Sequence, residues 1–382
     1  MRRGASRSRR LAARGLLAGV LVLAATAALP AVADVREPRV RVLLYEGPGP
    51  VPVEVAGRRV VLQAAAGGIR AGRESAVAVW RSEAGRLRVD DVRVRGALEA
   101  RPVPGGLALV NEVPLESYVA GIVGREMSAS WAPEALRAQA VVSRTYALYE
   151  QGRRRGQPYD VRADTGSQVY GGVDAESAPF LAAVSGTRAE ILTFEGQPIL
   201  AAFHSASGGI TASAEEVWGR RVAYLVSVPV PGEDASPDTY WRAAISGTTL
   251  GRLLDGLGGP GQPVGAVGSV SVVERSPSGR VLRLRVQGEQ RSVTVSGREL
   301  RSAMGEDVIR NTAFDVRPGP GGLAFFGSGR GHGVGMSQWG ARAMADGGAG
   351  YREILSRFYP GTRLEKWTAA RHRGALARRG SR

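Results

Sequence analysis

The chain has 382 residues, with 51 Lys and Arg against 35 Asp and Glu and a formal net charge of +16. It contains no cysteine, which excludes disulfide bonds, thiolate zinc sites and cysteine nucleophiles. Its length suffices for two or three domains and a sizeable core, at roughly 100–200 residues per domain.

The first 33 residues have the three parts of a secretory signal peptide. Six arginines and no acidic residue fall within positions 1–14, Leu16–Leu29 is an apolar run, and Ala31-Val32-Ala33 presents the small-x-small pattern that signal peptidase cuts. The apolar run is shorter than the about 20 residues that a membrane-spanning helix needs. We therefore expect an extracytoplasmic, secreted or wall-associated protein, with an uncleaved anchor as the alternative. The Arg9-Arg10 pair is only a weak indication of twin-arginine export.

The remaining charge has two interpretations. Without those six arginines the net charge is about +10, and Lys366 is the only lysine. A generally solvated basic surface accounts for this charge, and so does attraction to a polyanion such as a cell-wall polymer or anionic lipid. Aromatic residues make up 6% of the chain and do not interleave with the arginines, so nucleic acid is not an expected partner.

Short alternating runs over residues 34–110 predict a small β-rich region. Val40–Leu44 is one such run, and glycine turns such as Gly67-Gly68 separate it from the next. We expect this region to precede a main domain over residues 111–366, which a basic, disordered tail over residues 367–382 follows.

Helical signals begin at Asn111 in the main domain. Pro114 suits the first turn of a helix, and Gly124 is expected to end it. A second helix is expected from Pro133 to about Glu150, buried because most of its residues are small and apolar. The apolar residues of the first helix recur at helical spacing: Leu115, Tyr118, Val119, Ile122 and Val123.

Downstream segments alternate between strand and helix signals. Ser213 and Glu216 have the spacing of a capping box, which predicts that a helix starts there. Strands are expected over residues 191–204 and 267–295, and helices near residues 341–346 and 351–358.

Glu126 lies between the two predicted helices, beside Met127 and Trp131. A carboxyl held among apolar groups has a raised pKa, because burial disfavours its charged form. A raised pKa is what a general acid needs near neutral pH, although Arg125 would oppose the shift by pairing with this carboxylate. From local context alone, a helix cap or a surface charge remains the commoner role for such a glutamate.

Two further stretches carry polar side chains suited to a ligand. Gln168 and Tyr170 alternate with Val169, so a strand would present both on one face, either to a sugar or within an ordinary half-buried sheet. His204 and Ser205 suggest a serine hydrolase, but neighbours on a strand point to opposite faces and no nucleophile elbow is present. A glycine-opened loop that lets backbone approach a ligand is the favoured interpretation of that stretch.

A glycine-rich loop over residues 329–341 has glycine at every second position of its first half. This spacing fits neither a dinucleotide-binding fingerprint nor a P-loop. His332 lies in the loop, and a zinc site is possible only if the fold unites it with His204 and a carboxylate.

Together these stretches resemble the SpoIID/LytB family of exported bacterial cell-wall proteins, which includes stage II sporulation protein D and the amidase enhancers. The resemblance covers about Asn111–Leu364. Its motifs occur in the family's order: Pro-Leu-Glu-x-Tyr-Val with Glu-Met and Glu-Ala-Leu-Arg-Ala-Gln-Ala, then Gln-Val-Tyr-x-Gly, His-Ser-x-Ser-Gly-Gly-x-Thr and Gly-His-Gly-Val-Gly-Met-Ser-Gln-Trp-Gly-Ala.

The resemblance implies a lytic transglycosylase that cuts peptidoglycan glycan strands between N-acetylmuramic acid and N-acetylglucosamine, with a possible role in sporulation. The family's catalytic glutamate matches Glu126. One carboxylate suffices because the C6 hydroxyl of the substrate replaces water, so neither a metal nor a cofactor is expected. Candidate substrate-binding residues follow from motif position: Arg144, Gln168, Tyr170, His204, Ser207, His332 and Gln338.

Some relatives hold a zinc ion with a His and two Cys near the Gln-Val-Tyr stretch. Ala163 and Ser167 occupy the matching Cys positions, so no zinc is expected by that route. The fold expected is α+β, with short mixed or antiparallel sheets packed on a two-helix catalytic unit. The alternatives are a non-catalytic amidase enhancer, with a cell-wall amidase as its partner, and a structural wall-binding module.

Overall fold

The computed structural model describes residues 37–83, 85–164, 166–255, 257 and 262–368. The predicted signal peptide and most of the predicted basic tail lie outside these residues. No helix within the described part of the chain is long and apolar enough to cross a bilayer.

The first strands of the chain form two sheets, in which valine and leucine alternate with polar residues so that one face is buried. One sheet has the order β4-β3-β2-β6-β7, and the other contains β5-β8-β9-β1. This arrangement confirms the predicted N-terminal β-rich region. The strands are β1 (Arg39–Gly47), β2 (Val51–Val55), β3 (Arg58–Ala65), β4 (Gly68–Ala71), β5 (Trp80–Ser82), β6 (Leu87–Val89), β7 (Val92–Val94), β8 (Ala97–Val103) and β9 (Gly106–Pro114).

Strand β9 corrects the expected start of the helical region. Asn111 pairs with Leu98 and Val113 pairs with Val40, so the chain stays extended through Pro114. The boundary predicted at residue 110 falls within this strand, and buried residues on both sides of it belong to one hydrophobic core.

The two-helix unit follows directly. Helix α1 (Leu115–Glu126) is succeeded by α2 (Pro133–Arg153), strand β10 (Val161–Arg162), a 3-10 helix over Gly172–Ala175 and helix α3 (Ala178–Gly186). Strand β10 pairs in parallel with β1 and extends its sheet.

Gly124 does not end α1, contrary to the expectation, because its role is close packing. A Cβ at this position would lie 1.9 Å from the carbonyl oxygen of Ala175. The helix therefore continues for two residues and carries Glu126 at its C-terminal end.

The next elements add further residues to the same hydrophobic core. Its elements are β11 (Glu190–Phe194), β12 (Gln197–Pro198), β13 (Phe203–His204), α4 (Ala214–Trp218) and a 3-10 helix over Glu233–Ala235. The predicted capping box is confirmed, since the Ser213 side chain accepts from the Glu216 backbone N–H at 3.2 Å and the Glu216 carboxylate accepts from Ser213.

Residues 241–327 form an inserted module with its own hydrophobic core. Its first and last strands lie side by side, with Trp241 opposite Gly327, so the chain enters and leaves the module at one point. The module comprises β14 (Trp241–Ile245), α5 (Gly247–Asp255), β15 (Val267–Arg275), β16 (Val281–Gly288), β17 (Ser292–Ser296), α6 (Gly297–Met304), β18 (Phe314–Gly319) and β19 (Gly322–Gly327).

The chain returns to the main core through β20 (Met336–Ser337), α7 (Gln338–Asp346), α8 (Tyr351–Phe358) and β21 (Arg363–Lys366). Strand β20 pairs in parallel with β13, and β21 pairs with β11. Helix α8 has the predicted bounds, whereas α7 begins three residues before its predicted start. Short sheets packed on helices give the α+β class predicted from the sequence.

Candidate active site

A cleft of about 760 Å³ lies between the end of α1, strand β13, the glycine-rich loop and helix α6 of the inserted module. Its volume is that of a small-molecule or oligosaccharide site. The fold brings five of the predicted site residues to its wall: Glu126, Gln168, His204, His332 and Gln338.

Glu126 is the last residue of α1, and its carboxylate accepts two hydrogen bonds. Oε1 accepts from the Val169 backbone N–H at 3.3 Å, and Oε2 accepts from Nε2 of Gln338 at 3.1 Å. Burial raises the pKa of Glu126 above its ordinary value, although both hydrogen bonds and the charge of Arg125 oppose the rise. A carboxyl with a raised pKa, open to a cleft, is suited to proton donation near neutral pH.

Gln338 is held by contacts that the sequence pattern did not reveal. Nε2 of Gln338 also donates to Oε1 of Gln139 at 3.4 Å, and the buried Gln139 donates to Oγ of Ser143 at 3.0 Å. These bonds connect α2 with the start of α7, so they fix the amide that faces Glu126.

Two tryptophans, Trp131 and Trp339, pack against each other near the Glu126 end of α1. The ring of Trp131 meets that of Trp339 edge to face, with centroids 4.9 Å apart. This contact joins the loop between α1 and α2 to helix α7, which carries Gln338. The positions of the acid and of its amide partner are therefore coupled by packing.

Residues 168–171 form an irregular segment, and not the strand predicted for them. Gln168 lines the cleft, and its Oε1 accepts from the Tyr118 hydroxyl at 3.1 Å. Tyr170 is buried, stacks on Tyr118 at 5.5 Å and donates to Oδ1 of Asn111 at 3.0 Å. Tyr170 thus supports the floor beneath the cleft and does not line it.

His204 and His332 lie together, as the zinc hypothesis required, with ring centroids 5.6 Å apart. Burial holds the pKa of His204 well below its usual range and lowers that of His332 to about 4, so both rings are neutral at pH 7. Within the described ranges, no group of three His, Asp or Glu side chains is arranged to hold a metal ion. The carboxylate that this hypothesis needed is not brought to the pair.

Ser207 lies behind the cleft, bound to a carboxylate that the sequence did not single out. Its backbone N–H and hydroxyl donate to the buried Glu233 at 2.9 and 2.6 Å. Glu233 also accepts from the Gly209 backbone N–H at 3.0 Å and from the hydroxyl of Ser337. One carboxylate therefore joins the His-Ser loop to the segment that begins α7.

Arg280 of the inserted module is a second buried residue that sequence analysis missed. It donates to the backbone carbonyl oxygens of Ser207 at 3.0 Å and of Ile210 at 3.1 Å. Gly333 is required beside it, because a Cβ there would lie 2.4 Å from Nη2 of Arg280 and the glycine has φ of +83°. Arg280 thus bonds the module to the loop over residues 205–211 and packs against Gly333 of the glycine-rich loop.

Arg144 is also placed away from the cleft, contrary to its predicted role. Its side chain is fully buried and forms a bidentate pair with Glu116, at 3.0 and 2.7 Å. It also donates to the backbone oxygen of Glu190 at 3.0 Å. These bonds tie α1, α2 and β11 together.

The neutral histidines predict a pH-dependent stability. Both folded-state pKa values lie below the unfolded value of about 6.5, and that of His332 is about 4, so the unfolded chain binds more protons in the window between about pH 6.5 and the folded-state pKa values. We expect the free energy of unfolding to fall as pH drops through this window, by up to ~1.4 kcal/mol per pH unit for each histidine. Urea denaturation of His332→Gln between pH 7 and 5 should show a shallower fall than the wild type; equal slopes would contradict the prediction.

Comparison with known proteins identifies relatives of this chain. A family model described as stage II sporulation protein matches residues 104–194, and a domain of unknown function matches residues 232–335, which include the inserted module. Stage II sporulation protein D of Bacillus subtilis is 31% identical over 276 residues, covering 67% of this chain and 76% of that protein.

Two further relatives agree with this match. An uncharacterized protein of Brachyspira hyodysenteriae is 32% identical over 274 residues, or 72% of each chain. The amidase enhancer of Bacillus subtilis is 30% identical over 293 residues, covering 65% of this chain and 40% of that protein. The chain belongs to the SpoIID/LytB family, as its four motifs predicted.

Proposed function

We propose that this chain is a peptidoglycan lytic transglycosylase that cuts the glycan strand between N-acetylmuramic acid and N-acetylglucosamine. The observation that carries the proposal is Glu126: a partly buried carboxyl with a raised pKa, fixed by two hydrogen bonds at the wall of a cleft of about 760 Å³. We further propose that it acts outside the cytoplasm, where this polymer lies.

The reaction needs one group that gives and then takes a proton. Protonated Glu126 donates to the glycosidic oxygen as the bond from that oxygen to C1 of N-acetylmuramic acid breaks. The C6 hydroxyl of the same sugar then bonds to C1, and its proton passes to the Glu126 carboxylate. The ring closes to a 1,6-anhydro end, no water is consumed, and the acid is regenerated.

Other carboxylates at the cleft are already engaged by arginines. Glu150 pairs with Arg153 at 2.8 Å, and Glu306 pairs with Arg301 at 2.8 Å. A hydrolytic glycosidase needs a second carboxylate to activate water or to attack the sugar. The intramolecular reaction needs none, which is why it suits this site.

Digestion of purified, peptide-stripped glycan, with product ends identified by mass spectrometry, tests the proposal. We expect 1,6-anhydro ends. Reducing ends formed by water would identify a hydrolase and overturn it.

The second candidate is a non-catalytic amidase enhancer, which the name of one relative favours. The same glycan digest separates the two functions when a cell-wall amidase is assayed beside it. An enhancer would leave the glycan uncut and raise the rate at which the amidase releases peptides. Under that outcome the amidase, and not the glycan alone, would be the partner.

Replacing Gln338 with Leu is expected to shift the pH dependence of cleavage. The amide of Gln338 stabilises the charged form of Glu126, so its removal raises the pKa of that carboxyl further. The alkaline limb of the kcat/KM profile, where the acid loses its proton, should therefore move to higher pH. The control is Gln139→Leu, which leaves the Gln338 amide in place and should shift the limb less. An unchanged or lowered limb in Gln338→Leu would contradict the prediction.

A further inference from the structure

His204 lines the cleft and has a hydrogen-bond acceptor that no described residue uses. The residue is 5% exposed, and its Nδ1 lies 3.2 Å from the Val334 carbonyl oxygen. Because a carbonyl oxygen only accepts, Nδ1 carries the proton, and in the neutral ring Nε2 has a free lone pair. Nε2 is buried and has no hydrogen-bond partner among the described residues. An acceptor left unpaired in this way is costly unless a ligand donates to it.

Arg301 brings a fixed donor to the same cleft from helix α6 of the inserted module. Its side chain is only 15% exposed; Nε donates to the Ile309 backbone oxygen at 3.1 Å, and Nη1 donates to Glu306 at 2.8 Å. Nη2 donates to no described residue. The guanidinium is therefore oriented by two partners and keeps one amino group for a ligand.

Trp218 completes a row of rings at this part of the cleft. It lines the cleft at the end of α4, and its ring centroid lies 5.6 Å from that of His332, which in turn lies 5.6 Å from that of His204. The charge of Arg301 is close enough to help lower the pKa of His332. The acceptor of His204, the donor of Arg301 and the ring of Trp218 therefore lie in the same part of the cleft.

We propose that His204, Arg301 and Trp218 form a subsite for the acetamido group of one N-acetylhexosamine. The acetamide N–H donates to Nε2 of His204, its carbonyl oxygen accepts from Nη2 of Arg301, and its methyl group packs on the Trp218 ring. The N–H and C=O of an acetamide point in opposite directions, so a site for both takes its acceptor and donor from separate elements. This inference rests on the proposed function, in which the cleft holds a glycan.

The test measures binding in a Glu126→Gln background, so that the ligand stays intact. The probes are a β-1,4-linked N-acetylglucosamine tetrasaccharide and its fully de-N-acetylated counterpart, titrated by isothermal calorimetry. We expect the acetylated probe to bind more tightly. His204→Phe removes the acceptor without changing charge. It should lower the affinity for the acetylated probe about tenfold and leave the affinity for the de-acetylated probe unchanged. Arg301→Gln should lower the affinity for the acetylated probe by at least as much.

Arg285→Gln is the matched control, since Arg285 lies on β16 of the same module and outside the cleft lining. It should leave both affinities unchanged, and the thermal midpoint of each variant checks that it folds. If folded His204→Phe binds both probes as the parent does, or loses both equally, the subsite is overturned while the proposed function stands. If the parent binds neither probe although wild-type protein yields anhydro ends from glycan, the subsite alone also falls. If there is neither binding nor cleavage, both proposals fall.

Discussion

Replacing Glu126 with Gln is expected to reduce the release of 1,6-anhydro-ended glycan by about 10²- to 10⁴-fold, the usual contribution of a positioned general acid. The amide has the same shape and keeps an oxygen that accepts from Val169 or Gln338. It has no proton to give to the glycosidic oxygen. The measurement is the initial rate of anhydro-end formation on peptide-stripped glycan.

Glu150→Gln provides the control for this experiment, because Glu150 lines the same cleft but pairs with Arg153 and Arg154. We expect this variant to retain most of the activity and Glu126→Gln to keep its affinity for glycan. Full cleavage by folded Glu126→Gln would show that Glu126 is not the general acid. Loss of cleavage in Glu150→Gln alone would assign the general acid to Glu150.

The position of Glu126 shows what local patterns in the sequence could and could not supply. Helical periodicity predicts both helices of the two-helix unit, but it also predicts a helix end at Gly124, because glycine is a common terminator. Its contact with Ala175 comes from a segment some 50 residues later, and no local pattern encodes it. The partners of the Glu126 carboxylate, Val169 and Gln338, are also distant along the chain, so only the family resemblance favoured catalysis over a surface charge.

Three motif residues predicted to bind substrate support the fold around the cleft instead. Arg144, Tyr170 and Ser207 each bond to a residue of the surrounding fold: the partly buried Glu116, and the buried Asn111 and Glu233. Motif position places a residue near a site but does not say on which side of the backbone its side chain lies. The sequence signal for a buried ion pair is weak, because its members are distant along the chain and look like ordinary surface charges.

The sequence did not indicate that residues 241–327 form a separate module. Its strands over residues 267–295 were predicted, yet nothing in their alternation indicated a separate core or a face towards the glutamate. The module nevertheless supplies Arg301 to the cleft wall and Arg280 to the loop over residues 205–211. Both arginines are among many in an arginine-rich chain, and only their burial distinguishes them.

Replacing Arg144 with Met is expected to lower the free energy of unfolding by roughly 3–5 kcal/mol, the usual cost of leaving one member of a buried pair uncompensated. Glu116 would lose a bidentate partner, and the Glu190 carbonyl oxygen would lose a donor. Urea denaturation measures the change. A matched control is Arg162→Met, because Arg162 pairs with Asp164 at the surface, where such pairs contribute about 1 kcal/mol or less.

The double variant Glu116→Gln with Arg144→Met separates a structural role from a substrate-binding one. Removing the stranded charge should restore part of the lost stability, because a neutral amide still accepts from the Ala189 backbone N–H. Because Arg144 is fully buried against Glu116, the folded fraction of either variant should keep the wild-type KM for glycan. A raised KM at unchanged stability would indicate that Arg144 binds substrate. Lost stability at constant KM would indicate a structural role, in which Arg144 holds α1, and with it Glu126, in place.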